Sequence, residues 1–315
     1  MNNVKITLHN GLGDKSLDLI GFSVICKYLN YKPHAIFYNC EWGTYDMRLF
    51  NFNEITILKN DDNNDECQFY INSPNPSSSL CPYKIYEFIK GFFPEISFEE
   101  ISNDFINQAR KIIKPSDIIL SKIPENIENA YGIHLRKSDK VYNTCDIRHE
   151  NTVSEFEIII NHLLNDVRNI IITEDNPTFL IVSEDNTWKH QIKQIIIDIS
   201  NKNNKTIKIL DIDYGNYNNE YNNFNSVLDL FCLSKCKEIL QGVKYSNFSI
   251  LASILGNKNL RNYAKYTNSY NICLIHLWSS LIEINNNRNY DINLQQKISM
   301  GVANIQTNIN KKMIS

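Results

Sequence analysis

The chain has 315 residues, 43% of them hydrophobic and 21% charged, with a formal net charge of −3. That length exceeds one ordinary core and suits two domains of moderate size. The charge balance gives no global positive field for a polyanion, and no basic patch with interleaved aromatics stands out, so nucleic-acid binding is not expected.

Val4–His9 alternates as a strand. Asn10–Asp14 forms a glycine turn, with Asp14 placed to cap a helix over Ser16–Leu29, where Leu17, Ile20, Val24 and Leu29 recur at helical spacing. His34–Tyr38 and Glu54–Leu58 read as further strands, and Tyr83–Phe93 and Glu99–Ile113 as helices. Asn60–Glu66 and Asn72–Ser79 carry loop composition. Lys114-Pro115-Ser116 and Ile123-Pro124-Glu125 bracket a linker.

A second series follows. Strands are expected at Ala130–Leu135, Pro177–Val182, Thr206–Ile212 and Glu238–Gln241. Helices are expected at Val153–Asp166, Thr187–Ser200, Ser226–Cys236 and Phe248–Leu255. Strands alternating with helices imply parallel sheets covered on both faces. Two such series imply an α/β chain of two Rossmann-like domains with a cleft between them. The first spans 1–122 and the second 123–257. Residues 258–315 hold one apolar segment, Tyr270–Ile284, in a polar tail expected to pack back on the first domain.

Four stretches carry candidate chemistry. The loop HNGLGDKS places Gly11, Gly13 and Asp14 where a helix amino terminus offers free N–H groups to an anion. It fails as a dinucleotide fingerprint, because Ser16 holds the third glycine position. A simple connecting turn explains it equally well. In YGIHLRKSDK, a strand runs into His134, Arg136, Lys137, Asp139 and Lys140. A guanidinium fork there suits a diphosphate, and open parallel sheets bind ligands at this end of a strand; the bland reading is a solvated charged loop. In FLIVSEDNTWKHQ, Glu184 and Asp185 follow a buried strand, where helix capping and ligand contact compete.

The fourth stretch is SVLDLFCLSKCKEILQGVKYSNFSILASILG. Asp229 stands in an otherwise apolar helix, where a lone carboxylate is costly unless paired. It matches the adjacent donors of a guanine edge. Ser246, Asn247 and Ser249 open another helix, well made for a phosphate, although Ser246 also suits a plain N-cap.

Asp211-Ile212-Asp213 has the form of a metal-binding DxD but is short enough to arise by chance. His9 and His149 lack a nucleophile at recognisable spacing, so a hydrolytic triad has no support. Eight cysteines, at 26, 40, 67, 81, 145, 232, 236 and 273, include no CxxC pair, which argues against zinc and against a secretory disulfide framework. MNNVKITLHN lacks the pattern of a signal peptide, and no run approaches the ~20 apolar residues of a membrane span. The expectation is a soluble, cytoplasmic chain.

Taken in order, GLGD near the amino terminus, HLRKSDKV at 134–141, SED at 183–185 and the stretch from Leu228 to Gly256 resemble the motifs of the fucosyltransferase superfamily. The nearest branches are the α1,6- and nodulation-factor fucosyltransferases. The resemblance implies a GT-B fold, GDP-fucose as donor, a glycan hydroxyl as acceptor, inversion at the anomeric carbon, and neither metal nor cofactor. It places donor binding on His134, Arg136, Lys137, Asp139, Glu184, Asp185, Asp229, Ser246, Asn247 and Ser249, with Gly11, Gly13 and Asp14 on the acceptor side. Arg136 and Lys140 would serve catalysis. Lys137 stands where the family usually has arginine, and Thr144 where its catalytic glutamate is expected, which passes that role to Asp146 or Glu150. Another nucleotide sugar as donor, or a non-catalytic sugar- or nucleotide-binding homologue, is the alternative.

Overall fold

In β1 (Asn3–Leu8), Val4, Ile6 and Leu8 are buried at alternate positions, as a strand with one face on a core requires. The computed structural model describes residues 3–8, 11–38, 44–58, 67–69, 80–136, 152–221, 223–243 and 246–266. β1 pairs in parallel with β2 (Lys32–Phe37) and β5 (Cys67–Phe69), and β2 with β4 (Thr56–Leu58), in the order β4-β2-β1-β5. α1 (Leu12–Leu29) connects β1 to β2, and every residue from Leu12 to Cys26 except Asp14 is buried. A helix buried all round lies between layers. Here α1 packs on the sheet, on α2 (Pro82–Lys90) and on α3 (Phe98–Ile112). α3 opens with a capping box, Ser97 and Glu100 each accepting from the other's backbone, and buries Phe98, Ile101, Phe105, Ala109 and Ile112 on one face.

The expected linker is part of a small sheet. β6 (Ile113–Pro115) pairs antiparallel with β3 (Phe50–Phe52), and the short α4 (Asp117–Leu120) follows. The second unit then alternates without interruption. Its strands are β7 (Ala130–Leu135), β8 (Thr178–Ser183), β9 (Lys208–Leu210), β10 (Glu238–Gly242) and β11 (Asn259–Asn262). Its helices are α5 (Thr152–Thr173), α6 (Asn186–Lys202), α7 (Phe224–Lys235) and α8 (Asn247–Gly256). All the strand pairs are parallel, in the order β11-β10-β7-β8-β9. The central strands β7 and β10 are buried at every position, as expected where helices cover both faces. At Gly132, an added Cβ would fall 2.8 Å from Leu233 and 2.9 Å from Cys236 Sγ, so α7 lies directly on β7.

The sequence reading ends this unit at residue 257, yet β11 carries the sheet onward. Arg261 grips Glu238 through Nε at 2.9 Å and Nη2 at 2.7 Å, and reaches Asp166 at 3.1 Å. Three-residue strands such as β3 and β6 have too few positions to show a period, and four-residue β11 begins in polar Asn259; none was anticipated. The tail expected to pack back, with Tyr270–Ile284, lies outside the described residues. No helix among the described residues is long and apolar enough to cross a membrane.

α1 leaves the carboxyl end of β1, and α8 leaves that of β10. The two helix amino termini touch: an added Cβ on Gly13 would fall 2.8 Å from the Asn247 carbonyl carbon and from the Phe248 nitrogen. The carboxyl edges of the two sheets therefore face the same junction. At the far end of α8, Arg110 of α3 donates to the Ile254 carbonyl and the Asn257 side chain, both at 2.8 Å.

Candidate functional site

The junction of α1 and α8 joins two stretches that lie more than two hundred positions apart. The Asn247 side-chain amide donates to Asp14 Oδ1. Gly13 makes that approach possible, since any side chain there would strike the α8 backbone. The sequence reading starts α1 at Ser16 with Asp14 as cap. Instead the helix begins at Leu12 behind an extended Gly11, and Asp14 lies inside its first turn. The missing cap comes from elsewhere in the fold: the Leu12 N–H donates to the Tyr45 hydroxyl at 3.1 Å. Lys15 is buried with its Nζ donating to the Tyr38 carbonyl at 2.8 Å, 5.3 Å from the centre of the Tyr45 ring.

Ser246 holds the N-cap position of α8 but makes no capping bond. Its Oγ is buried and without a hydrogen-bond partner. A buried hydroxyl left unmatched costs about 1–3 kcal/mol, so a plain structural cap does not account for it. It sits among the unsatisfied N–H groups of a helix start, where the helix dipole favours an anion.

One turn further, Ser249 Oγ lies 2.8 Å from His134 Nδ1, at the end of β7. The imidazole rests on the Phe248 ring, with centroids 5.2 Å apart. Burial, aided by the Arg136 charge, lowers the His134 pKa to about 3, so the ring is neutral at ordinary pH. Arg136 is the last described residue before position 152; Lys137, Asp139, Lys140, Thr144, Asp146 and Glu150 all lie outside the described residues.

Asp229 belongs to a second cluster, on α7, the helix that packs on β7 and β8. It is buried in α7, and the Tyr214 hydroxyl donates to its Oδ1 at 2.6 Å. Desolvation raises its pKa to about 7 against the opposing effects of the Tyr214 bond and the Lys189 charge. Burial and the Asp229 carboxylate push the Tyr214 phenol well up, which keeps it a donor. Lys189 of α6 stands 5.5 Å from the Tyr214 ring. Asp185 caps α6, accepting from the Trp188 N–H at 3.0 Å, so one oxygen of this candidate ligand serves the helix. Glu184 is exposed beside it.

A strap from the first unit closes over this side. Asn223 donates to the Thr44 carbonyl at 2.6 Å, and the Arg48 guanidinium lies 4.6 Å from the Tyr221 ring centre, held by Asp46 at 2.6 Å. Asp211 pairs with Lys193 at 3.0 Å, and Asp213 accepts from the Gly215 N–H at 3.0 Å, so both DxD carboxylates have structural partners. Among the described residues, no group of three or more His, Cys, Asp or Glu side chains could hold a metal ion.

The structure thus gathers Gly13, Asp14, His134, Ser246, Asn247 and Ser249 at one junction and sets Asp229 in a neighbouring cluster on the same sheet edge. Sequence reasoning missed Tyr214, Phe248, Tyr45 and the strap. Phe248 alone had a local signal, an aromatic in the first turn of the phosphate-suited helix.

No protein-family model matches this sequence, and no curated protein matches it. Solved structures do. A mutant of Arabidopsis thaliana FUT1 in complex with GDP is 11% identical and superposes with a TM-score of 0.51 over 82% of this chain and 69% of its own. Fucosyltransferase NodZ from Bradyrhizobium is 10% identical, with a TM-score of 0.49 over 84% and 96%. NodZ α-1,6-fucosyltransferase soaked with GDP-fucose is 11% identical, with a TM-score of 0.48 over 81% and 92%. With its two parallel sheets meeting at their carboxyl edges, and on the likeness to the Arabidopsis FUT1 structure, this chain has a fucosyltransferase-like GT-B fold.

Proposed function

We propose that this chain is an inverting glycosyltransferase that moves L-fucose from GDP-fucose to a glycan hydroxyl without a metal. The observation that carries the reading is the buried, unpartnered Ser246 hydroxyl at the start of α8, one turn from neutral His134. In this reading the diphosphate takes the α8 N–H groups and Ser246 Oγ, with Arg136 and Lys137 supplying positive charge. With Ser249 donating to Nδ1, the His134 proton sits on Nε2 and donates to the donor's phosphate or ribose. Asp229 Oδ1 is taken by Tyr214, leaving Oδ2 for the guanine edge.

The chemistry follows from that placement. A carboxylate, Asp146 in this reading, takes the proton of the acceptor hydroxyl as its oxygen attacks the anomeric carbon. The bond to the β-phosphate oxygen breaks from the opposite face, through a transition state of oxocarbenium character. Charge that grows on GDP is met by Arg136, Lys137 and the α8 terminus in place of a metal. Lys140 serves catalysis beside Arg136; Gly11, Gly13 and Asp14 border the acceptor's side, while Asp139, Glu184, Asp185 and Asn247 orient the groups around the donor.

The test is GDP release from GDP-fucose by the purified chain, with a glycan panel, in the presence of EDTA. Turnover that survives chelation and falls in Arg136→Ala is the expected result. Turnover lost to chelation, or retained in full by Arg136→Ala, overturns it. Thr144 in place of the expected acid favours a second reading, a non-catalytic GDP-sugar-binding homologue. GDP binding without sugar transfer or donor hydrolysis would select that one.

A further inference from the structure

A cavity of about 570 Å³ opens between the carboxyl half of α1, the start of β2 and α3. That volume falls within the range of small-ligand sites. It is separate from the junction described above: from Asp14 to Lys27, α1 advances roughly 20 Å at its rise per residue. The cavity lies at the amino-terminal edge of the first sheet, opposite the cleft.

Its lining sets three lysines, Lys27, Lys32 and Lys111, against two carboxylates, Glu54 and Asp104, a net of one positive charge. Ser23, Asn30, Asn107 and Gln108 supply amides and a hydroxyl, each able to donate and to accept. Two of its cations are neutralised in place, Lys27 by Asp104 at 2.7 Å and Lys111 by Glu54 at 2.8 Å. Lys32, the third, is exposed, so the lining gathers no cluster of cations on one spot of the kind a phosphate needs. Aromatic surface adjoins this lining. Tyr31 is part of the wall and is exposed. Tyr28 donates to Asp104 at 2.7 Å and contacts Phe93, which is exposed together with Phe88 and Phe92. Phe88 and Phe92 also contact each other, with ring centroids 5.4 Å apart, and clustered exposed aromatics are the usual makings of a contact surface. Flat apolar faces beside uncharged groups that both donate and accept match the two sides of a pyranose, its C–H face and its hydroxyl rim.

We propose that this cavity is a second carbohydrate site, one that binds a neutral oligosaccharide outside the cleft. The inference goes beyond the transferase reading and does not depend on turnover. Fluorescently labelled full-length protein is applied to an array of neutral and acidic glycans, with GDP binding of each variant measured in parallel by calorimetry. Neutral glycans are expected to be retained, with retention falling at least tenfold in the Tyr31→Ala/Asn107→Ala double variant. Asn107→Trp, which fills the cavity from an exposed position, is expected to cause the same loss. Both variants are expected to bind GDP as the parent does, so failure of the cleft and failure of this site are read separately. Absence of any neutral glycan on the array, retention confined to acidic glycans, or retention unchanged in both variants overturns the proposal.

Discussion

The side-chain amide of Asn247 donates to the carboxylate of Asp14, joining the first turns of two helices that belong to different sheets. Gly13 makes the contact possible. Its replacement by alanine places a methyl group 2.8 Å from two backbone atoms, which cannot rotate away as a side chain would. We expect Gly13→Ala to destabilise the fold by about 1–3 kcal/mol, the usual range for overpacking. Asn247→Ala removes the bond without the clash and is expected to cost less. Urea denaturation compares them, and equal stability of Gly13→Ala and the parent would refute the account.

Ser246→Ala separates binding from stability. The hydroxyl is buried and unmatched, so its removal should leave the ligand-free protein as stable as before or slightly more so. Affinity for GDP should fall by about tenfold, in line with ~1.5 kcal/mol for a hydrogen bond to a charged group. Thermal melts with and without GDP read both effects.

Asp229 should make nucleotide binding depend on pH. Its pKa of about 7 leaves it mostly protonated in mild acid, whereas a guanine edge requires the carboxylate. GDP affinity should rise as pH increases toward 7 and level off above it, with proton release on binding below that point. The change between pH 5.5 and 8 should be about tenfold or more. Calorimetry in buffers of differing ionisation enthalpy measures the released proton, and Asp229→Asn should abolish the dependence along with most of the binding.

Asp229 and His134 pull stability in opposite directions with pH. The folded pKa of Asp229 lies above its unfolded value, so the folded state binds more protons and stability falls as pH rises from about 4 to about 7. The folded pKa of His134, about 3, lies below its unfolded value, so stability is full above about 6.5 and is lost as pH falls. Between about 4 and 6.5 the two slopes oppose each other. Asp229→Asn should unmask the histidine slope and stabilise the protein near pH 8, where the buried charge is otherwise complete. Melting curves across pH 4–8 test this, and a variant with the parental profile would rule it out.

The sheets and long helices were legible in the sequence because buried central strands such as Ala130–Leu135 and amphipathic α3 carry periods long enough to read. The phosphate-suited helix at Ser246 was legible for the same reason: a polar start and an apolar run. What was not legible was tertiary. The start of α1 at Leu12 depends on Tyr45, more than thirty residues away, so local capping rules place it four residues late. Asp229 was flagged as a costly buried charge, but its partner Tyr214 lies in irregular chain with no pattern to announce it. The DxD reads as a chance match, and sequence could not show what Lys193 and the Gly215 N–H reveal, that each carboxylate already has a local partner.

Helix α8 is held at both ends by the opposite half of the molecule, through Asp14 at its start and Arg110 at its finish. At ten residues it is roughly 15 Å long, short enough that two such anchors leave it little freedom to tilt. It also packs on α7, β10 and β11 of its own unit and meets His134 through Ser249, so it is braced from both sides. The start of that helix, with the Ser246 hydroxyl, is therefore a joint product of both halves, and neither half alone would hold it in place.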